Sequence, residues 1–162
     1  MHATYWSAIN TQQKNVLTIY NSIWYKSSLC FSILMNCLRS IDWDRVRHFQ
    51  KKELYCRCCE KLNISANLVL KLDLARALAE TPFIITSGFR CQKHNQVVGG
   101  VKDSAHVKGL AVDIAVQNNI TRLSILRGLI IAGFRRIGIG SNFIHVDIDN
   151  SKANNVWLYK DR

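Results

Sequence analysis

A chain of 162 residues can bury one sizeable core but leaves no room for two ordinary domains and a linker, so one main globular domain is expected. An apolar fraction of 48% against 20% charged residues excludes a disordered or fibrous chain. Lys and Arg number 22 against 11 acidic residues, a surplus that draws the protein to anionic polymers; the basic residues are scattered, which argues against a specific nucleic-acid reader.

Residues 1–47 mix Thr, Asn, Ser and aromatics without a clear period and read as an N-terminal extension of unknown role, with one or two helical turns near Trp43 to Phe49. Residues 16–38 are its most apolar stretch, but Asn21, Lys26, Asn36 and several serines interrupt it. A spanning helix needs about 20 mostly apolar residues, so no transmembrane anchor is expected. Leu29 to Leu38 has the length of a signal-peptide core but lies far from the start and lacks a small-residue cleavage site. Met35 is a candidate alternative start, which N-terminal sequencing of the natural product would test.

The second domain, residues 48–162, carries clearer periodicity. Ser65 is placed to cap a helix in which Leu68, Leu72, Ala75, Leu78 and Ala79 recur at spacings of three and four, closed by Pro82. Phe83 to Thr86 is a short β-prone run broken by Ser87-Gly88, and Gly99-Gly100 marks a second flexible point. Leu110 to Ala115 reads as a buried strand, and Thr121 to Ala132 as an amphipathic helix ended by Gly133 in the left-handed conformation. Strands follow near Arg136 to Ile139 and Phe143 to Ile148. Strands broken by unequally spaced helices, with tight turns late in the chain, predict an α+β domain on a largely antiparallel central sheet flanked by helices.

Cys30, Cys37, Cys56, Cys58, Cys59 and Cys91 make an even set that would suit disulfides in an oxidising compartment. The run Cys56-Arg57-Cys58-Cys59 lacks the usual spacer of a zinc knuckle and reads as core thiols or as a disulfide partner for Cys91, with a structural metal as the lesser reading.

Chemistry is concentrated in SAHVKGLAVDI (104–114) and GIGSNFIHVDI (138–148). His106, Asp113 and His145 are two imidazoles and a carboxylate, the three-donor set that a catalytic zinc takes while leaving a corner to water. His106 falls in a loop, Gly109 lets the chain turn back sharply, and Asp113 and His145 fall on separate strands. Asp147, two residues beyond His145, shares its strand face and has two equally weighted roles: general base, or a carboxylate holding the free ring N–H of a ligand histidine. Arg90 in SGFR can grip a substrate carboxylate or a developing oxyanion, and Ser104 can hydrogen-bond a peptide backbone. His94 and Asn95 read as loop-ordering residues rather than ligands, and Trp157 as a core plug rather than a stacking platform. No H-E-x-x-H helix, G-x-S-x-G elbow or phosphate-binding loop is found.

With SGFRCQKHNQVVGG (87–100), SAHVKGLAVDI and FIHVDI (143–148) in one order, the chain resembles the zinc D-Ala-D-Ala carboxypeptidase family, from about Phe49 to Trp157. The resemblance implies the fold shared by these peptidases and hedgehog signalling domains, one catalytic Zn2+ on His106, Asp113 and His145, and contacts to substrate from Arg90 and Ser104. It implies a peptidoglycan stem-peptide substrate, cut as a carboxypeptidase or an endopeptidase, in a family many of whose members are phage or prophage lysis enzymes; a monomer acting on the bacterial wall from the periplasm or outside is expected, with release at lysis as one route. Several relatives carry an acidic or histidine residue just before the last metal histidine; Asn142, Phe143 and Ile144 stand there instead, which leaves the base open, with Asp147 matching the relatives that carry HVD. The alternative is a zinc-containing wall-binding module without activity.

Overall fold

The computed structural model describes residues 41–160, so the readings made on residues 16–38, including Cys30, Cys37 and Met35, lie outside the described residues. Two 3₁₀ turns, Trp43–Arg45 and Lys51–Leu54, precede helix α1 (Ala66–Ala79), strand β1 (Ile85–Ser87), helix α2 (Gln92–Val97) and strand β2 (Ala111–Ala115). Helix α3 (Asn119–Ile131) and strands β3 (Arg136–Ile139), β4 (Phe143–Asp147) and β5 (Asn155–Leu158) complete the chain. The five strands form one sheet in the order β1-β2-β4-β3-β5. All neighbours are antiparallel except β3 and β5, which run parallel. The expected α+β class and largely antiparallel sheet are what the molecule has.

Side-chain alternation divides the sheet into two unlike faces. Val112, Ile114, Ile137, Ile144 and Val146 enter one hydrophobic core with Leu68, Leu72 and Ala75 of α1 and Ile125 and Leu129 of α3. Most of these side chains are fully buried, and each Val, Leu or Ile contributes roughly 1.5–3 kcal/mol relative to exposure. Val46 and Phe49 also join the core, and Ile41 and Trp43 pack against it. The two long helices meet at Gly128, where an added Cβ would lie 2.3 Å from the Ala75 carbonyl oxygen and 2.7 Å from the Ala79 Cβ.

Helix α1 follows Ser65 as expected, although the Ser65 side chain makes no capping bond, and it ends on Glu80 in the left-handed region. Helix α3 begins earlier than its periodicity suggested, because the Asn118 side chain accepts from the Thr121 N–H at 2.9 Å. Gly133 has φ 83°, as its place after that helix required. Strand β1 is displaced toward Ser87, since Phe83 plunges into the core before pairing with β2 begins. Helix α2 and strand β5 were not expected. Among the described residues no helix is long and apolar enough to cross a membrane, and the four cysteines there are free thiols.

Candidate metal centre

The face opposite the helices carries the polar residues, and strand register brings them together. Asp113 of β2 pairs directly with His145 of β4, which pairs with Gly138 of β3, which pairs with Trp157 of β5. One row thus crosses the sheet from carboxylate to imidazole to a bare backbone to an indole. His106 arrives from the loop before β2, brought back by Gly109 at φ 71°, where an added Cβ would lie 2.0 Å from the Asn63 carbonyl oxygen.

The donor atoms of His106, Asp113 and His145 all lie within 4.8 Å of one another. His106 Nε2 is 3.2 Å from Asp113 Oδ1 and 3.2 Å from His145 Nδ1, and His145 Nδ1 is 2.9 Å from Asp113 Oδ1. Partners on the outer side of each ring set the tautomers. His106 Nδ1 is 2.8 Å from the Gly88 carbonyl oxygen, which can only accept, so the proton belongs on Nδ1 and the lone pair of Nε2 faces inward. His145 Nε2 is 3.2 Å from Asp147 Oδ2, so with a metal ion on Nδ1 the proton belongs on Nε2, whereas without one Nδ1 can itself donate to Asp113 Oδ1 at 2.9 Å. Two ring nitrogens and a carboxylate oxygen at such distances need a positive charge among them, a proton or a metal ion. The donor set therefore fits a zinc ion, which takes imidazole nitrogen and carboxylate oxygen together.

The electrostatics agree. Burial opposes charge on Asp113, yet hydrogen bonds with His106 and His145 outweigh it and hold the carboxyl well below the usual range. Burial would likewise keep His145 neutral, but Asp113 and Asp147 overcome it and raise its pKa, marking the same spot as one that favours positive charge. Asp147 is held below its ordinary value against its burial by His145, the Asp149 N–H and Arg136.

Arg90 sits just past β1 and is fixed on both sides of its guanidinium, Nε donating to Ser87 Oγ at 2.6 Å and Nη2 to Asp113 Oδ2 at 2.5 Å. Asp147 is buried and engaged at both oxygens: Oδ2 with His145, and Oδ1 with Arg136 Nε at 2.7 Å and the Asp149 N–H at 2.9 Å. Ser104 is buried in the loop below His106 and faces the same cleft as the triad and Arg90. The cleft has a volume of about 440 Å³ and a rim that includes Lys152 and Lys160.

Register and the loops thus gather Arg90, Ser104, His106, Asp113, His145 and Asp147 around one cleft. Three further members were missed. Trp157 is a half-buried wall rather than a core plug, its ring centroid 5.6 Å from that of His145 and 5.3 Å from the Arg136 guanidinium carbon. Tyr159 lies beside it, with ring centroids 6.1 Å apart, and burial pushes its phenol pKa up, so it stays a neutral donor. Gly138 makes room for both, since a Cβ there would lie 2.5 Å from Tyr159 and 2.6 Å from Trp157. Arg136 could have been found from its strand parity with Gly138; the two aromatics could not, because they join only through the pairing of β5.

Asn95 orders its loop as expected. Its Nδ2 donates to the Val101 carbonyl at 2.9 Å and its backbone carbonyl accepts from the Gly100 N–H at 2.8 Å. Only glycine fits at 100, where a Cβ would overlap the Asn95 side chain at 2.1 Å.

An α+β domain with two inward-facing imidazoles and a carboxylate at the floor of an open cleft has the architecture of a metal-dependent hydrolase. The family model for peptidase M15 matches residues 47–147, and the chain belongs to that family of zinc metallopeptidases. The matched span contains Arg90, Ser104, the triad and Asp147 and ends before β5. No curated protein matches the chain.

Proposed function

We propose that the protein is a zinc-dependent peptidase that hydrolyses peptide bonds in peptidoglycan stem peptides, with His106, Asp113 and His145 as the metal ligands. The observation that carries this reading is the convergence of His106 Nε2, His145 Nδ1 and Asp113 Oδ1 within 3.2 Å of one another. Zinc bound there would supply Lewis-acid polarisation of the scissile carbonyl and lower the pKa of water toward neutrality.

The chain's own residues do the rest. Gly88 and Asp147 hold the two imidazoles in ligand tautomers. Of the two roles open to Asp147, positioning His145 is the one its contacts support: Oδ1 takes Arg136 Nε and the Asp149 N–H, and Oδ2 takes His145 Nε2, which leaves a single acceptor site on Oδ2 for a substrate water. Arg90, braced by Ser87 and Asp113, presents its remaining N–H groups to a substrate carboxylate or to the oxyanion that develops on attack. Ser104 offers a hydroxyl to the peptide backbone. The cationic rim suits wall peptides, whose free carboxylates are their main charge.

Defined muropeptides incubated with the zinc-loaded protein, with and without a chelator, provide the test. Zinc-dependent release of a stem-peptide fragment, identified by mass, is expected, and the fragment distinguishes carboxypeptidase from endopeptidase. A folded, zinc-bound protein that cuts none of them would sink the reading and leave the wall-binding module in its place.

A further inference from the structure

Away from the cleft, a second group of metal-binding side chains joins two segments far apart in sequence. The sulfurs of Cys56, Cys59 and Cys91 lie within 4.8 Å of one another, and His94 Nδ1 is 3.4 Å from Cys56 Sγ. We propose that Cys56, Cys59, Cys91 and His94 bind a structural zinc ion that clamps the Arg90 loop to the segment before α1. This site lies beyond the peptidase reading and does not depend on it.

Spacing supports a paired-knuckle site. From Cys56 to Cys59 there are two intervening residues, and from Cys91 to His94 there are two again, the C-x₂-C and C-x₂-H intervals of zinc ligands. Cys58 stands inside the first interval and is exposed, with its thiol hydrogen-bonded to that of Cys91. His94, read from sequence as a loop-ordering residue, becomes the fourth ligand.

Local backbone folds each pair into a knuckle. The Cys56 N–H donates to the Lys61 carbonyl at 2.9 Å and the Glu60 N–H to the Cys56 carbonyl at 2.8 Å, closing a tight turn around Cys59 with Glu60 at φ 54°. Cys91 caps α2, its sulfur accepting from the His94 N–H at 3.4 Å, and the Cys91 N–H points at Cys56 Sγ at 3.3 Å. Sulfurs that accept backbone N–H bonds are prepared to carry thiolate charge. A tetrahedral zinc with Zn–S near 2.3 Å separates its sulfurs by roughly 3.8 Å, so the cluster needs only a small contraction to close on an ion. Three thiolates and an imidazole are soft donors that select zinc over calcium or magnesium. Four protein ligands leave no open corner, so the site is structural.

The location gives the ion a purpose. The two segments already touch next to the knuckles: the Phe89 N–H donates to the Leu54 carbonyl at 3.1 Å, and a Cβ on Gly88 would lie 2.6 Å from that same oxygen. Arg90 lies between this contact and Cys91, so an ion at the cluster fixes both flanks of the guanidinium that reaches Asp113.

Cobalt substitution of the full-length, reduced protein tests the proposal. A thiolate-to-cobalt charge-transfer band can arise only from a sulfur site and never from the His106–Asp113–His145 centre. The band is expected in the wild type, in His106→Ala and in the Cys30→Ser/Cys37→Ser pair, is expected to fall by about a third or more in Cys59→Ser and in Cys91→Ser, which each keep two thiolates, and to vanish in the Cys56→Ser/Cys59→Ser/Cys91→Ser variant. His94→Cys should retain it, and His94→Ala should bind cobalt about tenfold or more weakly. Zinc analysis should give about two ions per chain in the wild type and about one in the Cys56→Ser/Cys59→Ser/Cys91→Ser variant. A wild-type protein that titrates with cobalt but shows no charge-transfer band overturns the proposal whether or not the cysteine variants fold. So does a band of undiminished intensity in the Cys59→Ser/Cys91→Ser pair, or an intact protein with Cys56 in a disulfide to Cys59 or Cys91.

Discussion

Replacing Asp147 by Asn separates the two roles that its sequence position allows. The Asn carbonyl oxygen would be retained on the side of Arg136 Nε and the Asp149 N–H, where two donors converge at 2.7 and 2.9 Å. Its NH₂ then faces His145 Nε2, which in the wild type donates to Oδ2 across 3.2 Å. Two donors cannot share that contact, so the imidazole must move its proton to Nδ1, the atom aimed at Asp113 and His106, or give up the contact. Loss of one charge-assisted hydrogen bond costs roughly 1.5–3 kcal/mol, which is on the order of a 10- to 100-fold loss of zinc affinity. Hydrolysis measured across a series of zinc buffers reads both quantities: the midpoint reports affinity and the plateau reports turnover of the loaded protein. The expected result is a midpoint raised about 10- to 100-fold with a plateau reduced less than about tenfold. A midpoint that stays put while the plateau drops about 100-fold or more would refute the positioning role and return Asp147 to general base.

Three other outcomes are expected. Arg90→Lys should lower kcat/KM by about 100-fold or more in the hydrolysis assay, because an ammonium cannot brace against Ser87 and Asp113 while facing substrate; near-normal kcat/KM would remove Arg90 from the chemistry. Gly128→Ala should lower stability in urea by roughly 1–3 kcal/mol, since backbone of α1 stands 2.3 Å from the new methyl, and an unchanged midpoint would contradict the α1–α3 packing. Asp149 accepts from Ser151 and Lys108, and these bonds outweigh its burial and depress its carboxyl to about 2. Because the folded value lies below the unfolded one, the stabilisation of about 2 kcal/mol is complete above roughly pH 4 and is lost as the pH falls toward 2. The stability gap between wild type and Asp149→Asn should therefore narrow across that interval; a gap independent of pH would show that the carboxylate's charge contributes nothing.

What the sequence could disclose depended on how local each signal was. The long helices and strands β2, β3 and β4 announce themselves because their apolar residues repeat at the period of the element and all enter one core. The triad was legible because Asp113 and His145 occupy polar positions within otherwise apolar strands, a pattern that needs a partner to explain it. Helix α2 is six residues long, with only Asn95 buried, so it has no apolar stripe to detect. Strand β5 leaves Val156 and Leu158 exposed, and its identity comes from parallel pairing with the β3 edge, which no neighbouring residue encodes. Trp157 and Tyr159 were hidden with it. The cysteine cluster was legible only in part: Cys58 stands inside the interval between Cys56 and Cys59, and Cys91 and His94 lie more than thirty residues on.

The direct pairing of Asp113 with His145 in the middle of the sheet has a consequence for how the protein opens and closes. Two of the three donors belong to the hydrogen-bonded heart of the molecule, where amide exchange waits for global unfolding, whereas His106 rides on a loop whose amides can exchange through small local openings. Metal exchange should then proceed by a hinged departure of one ligand from a stationary pair. Its rate would follow the local breathing of residues 99–109 and stay indifferent to denaturant until the whole sheet lets go.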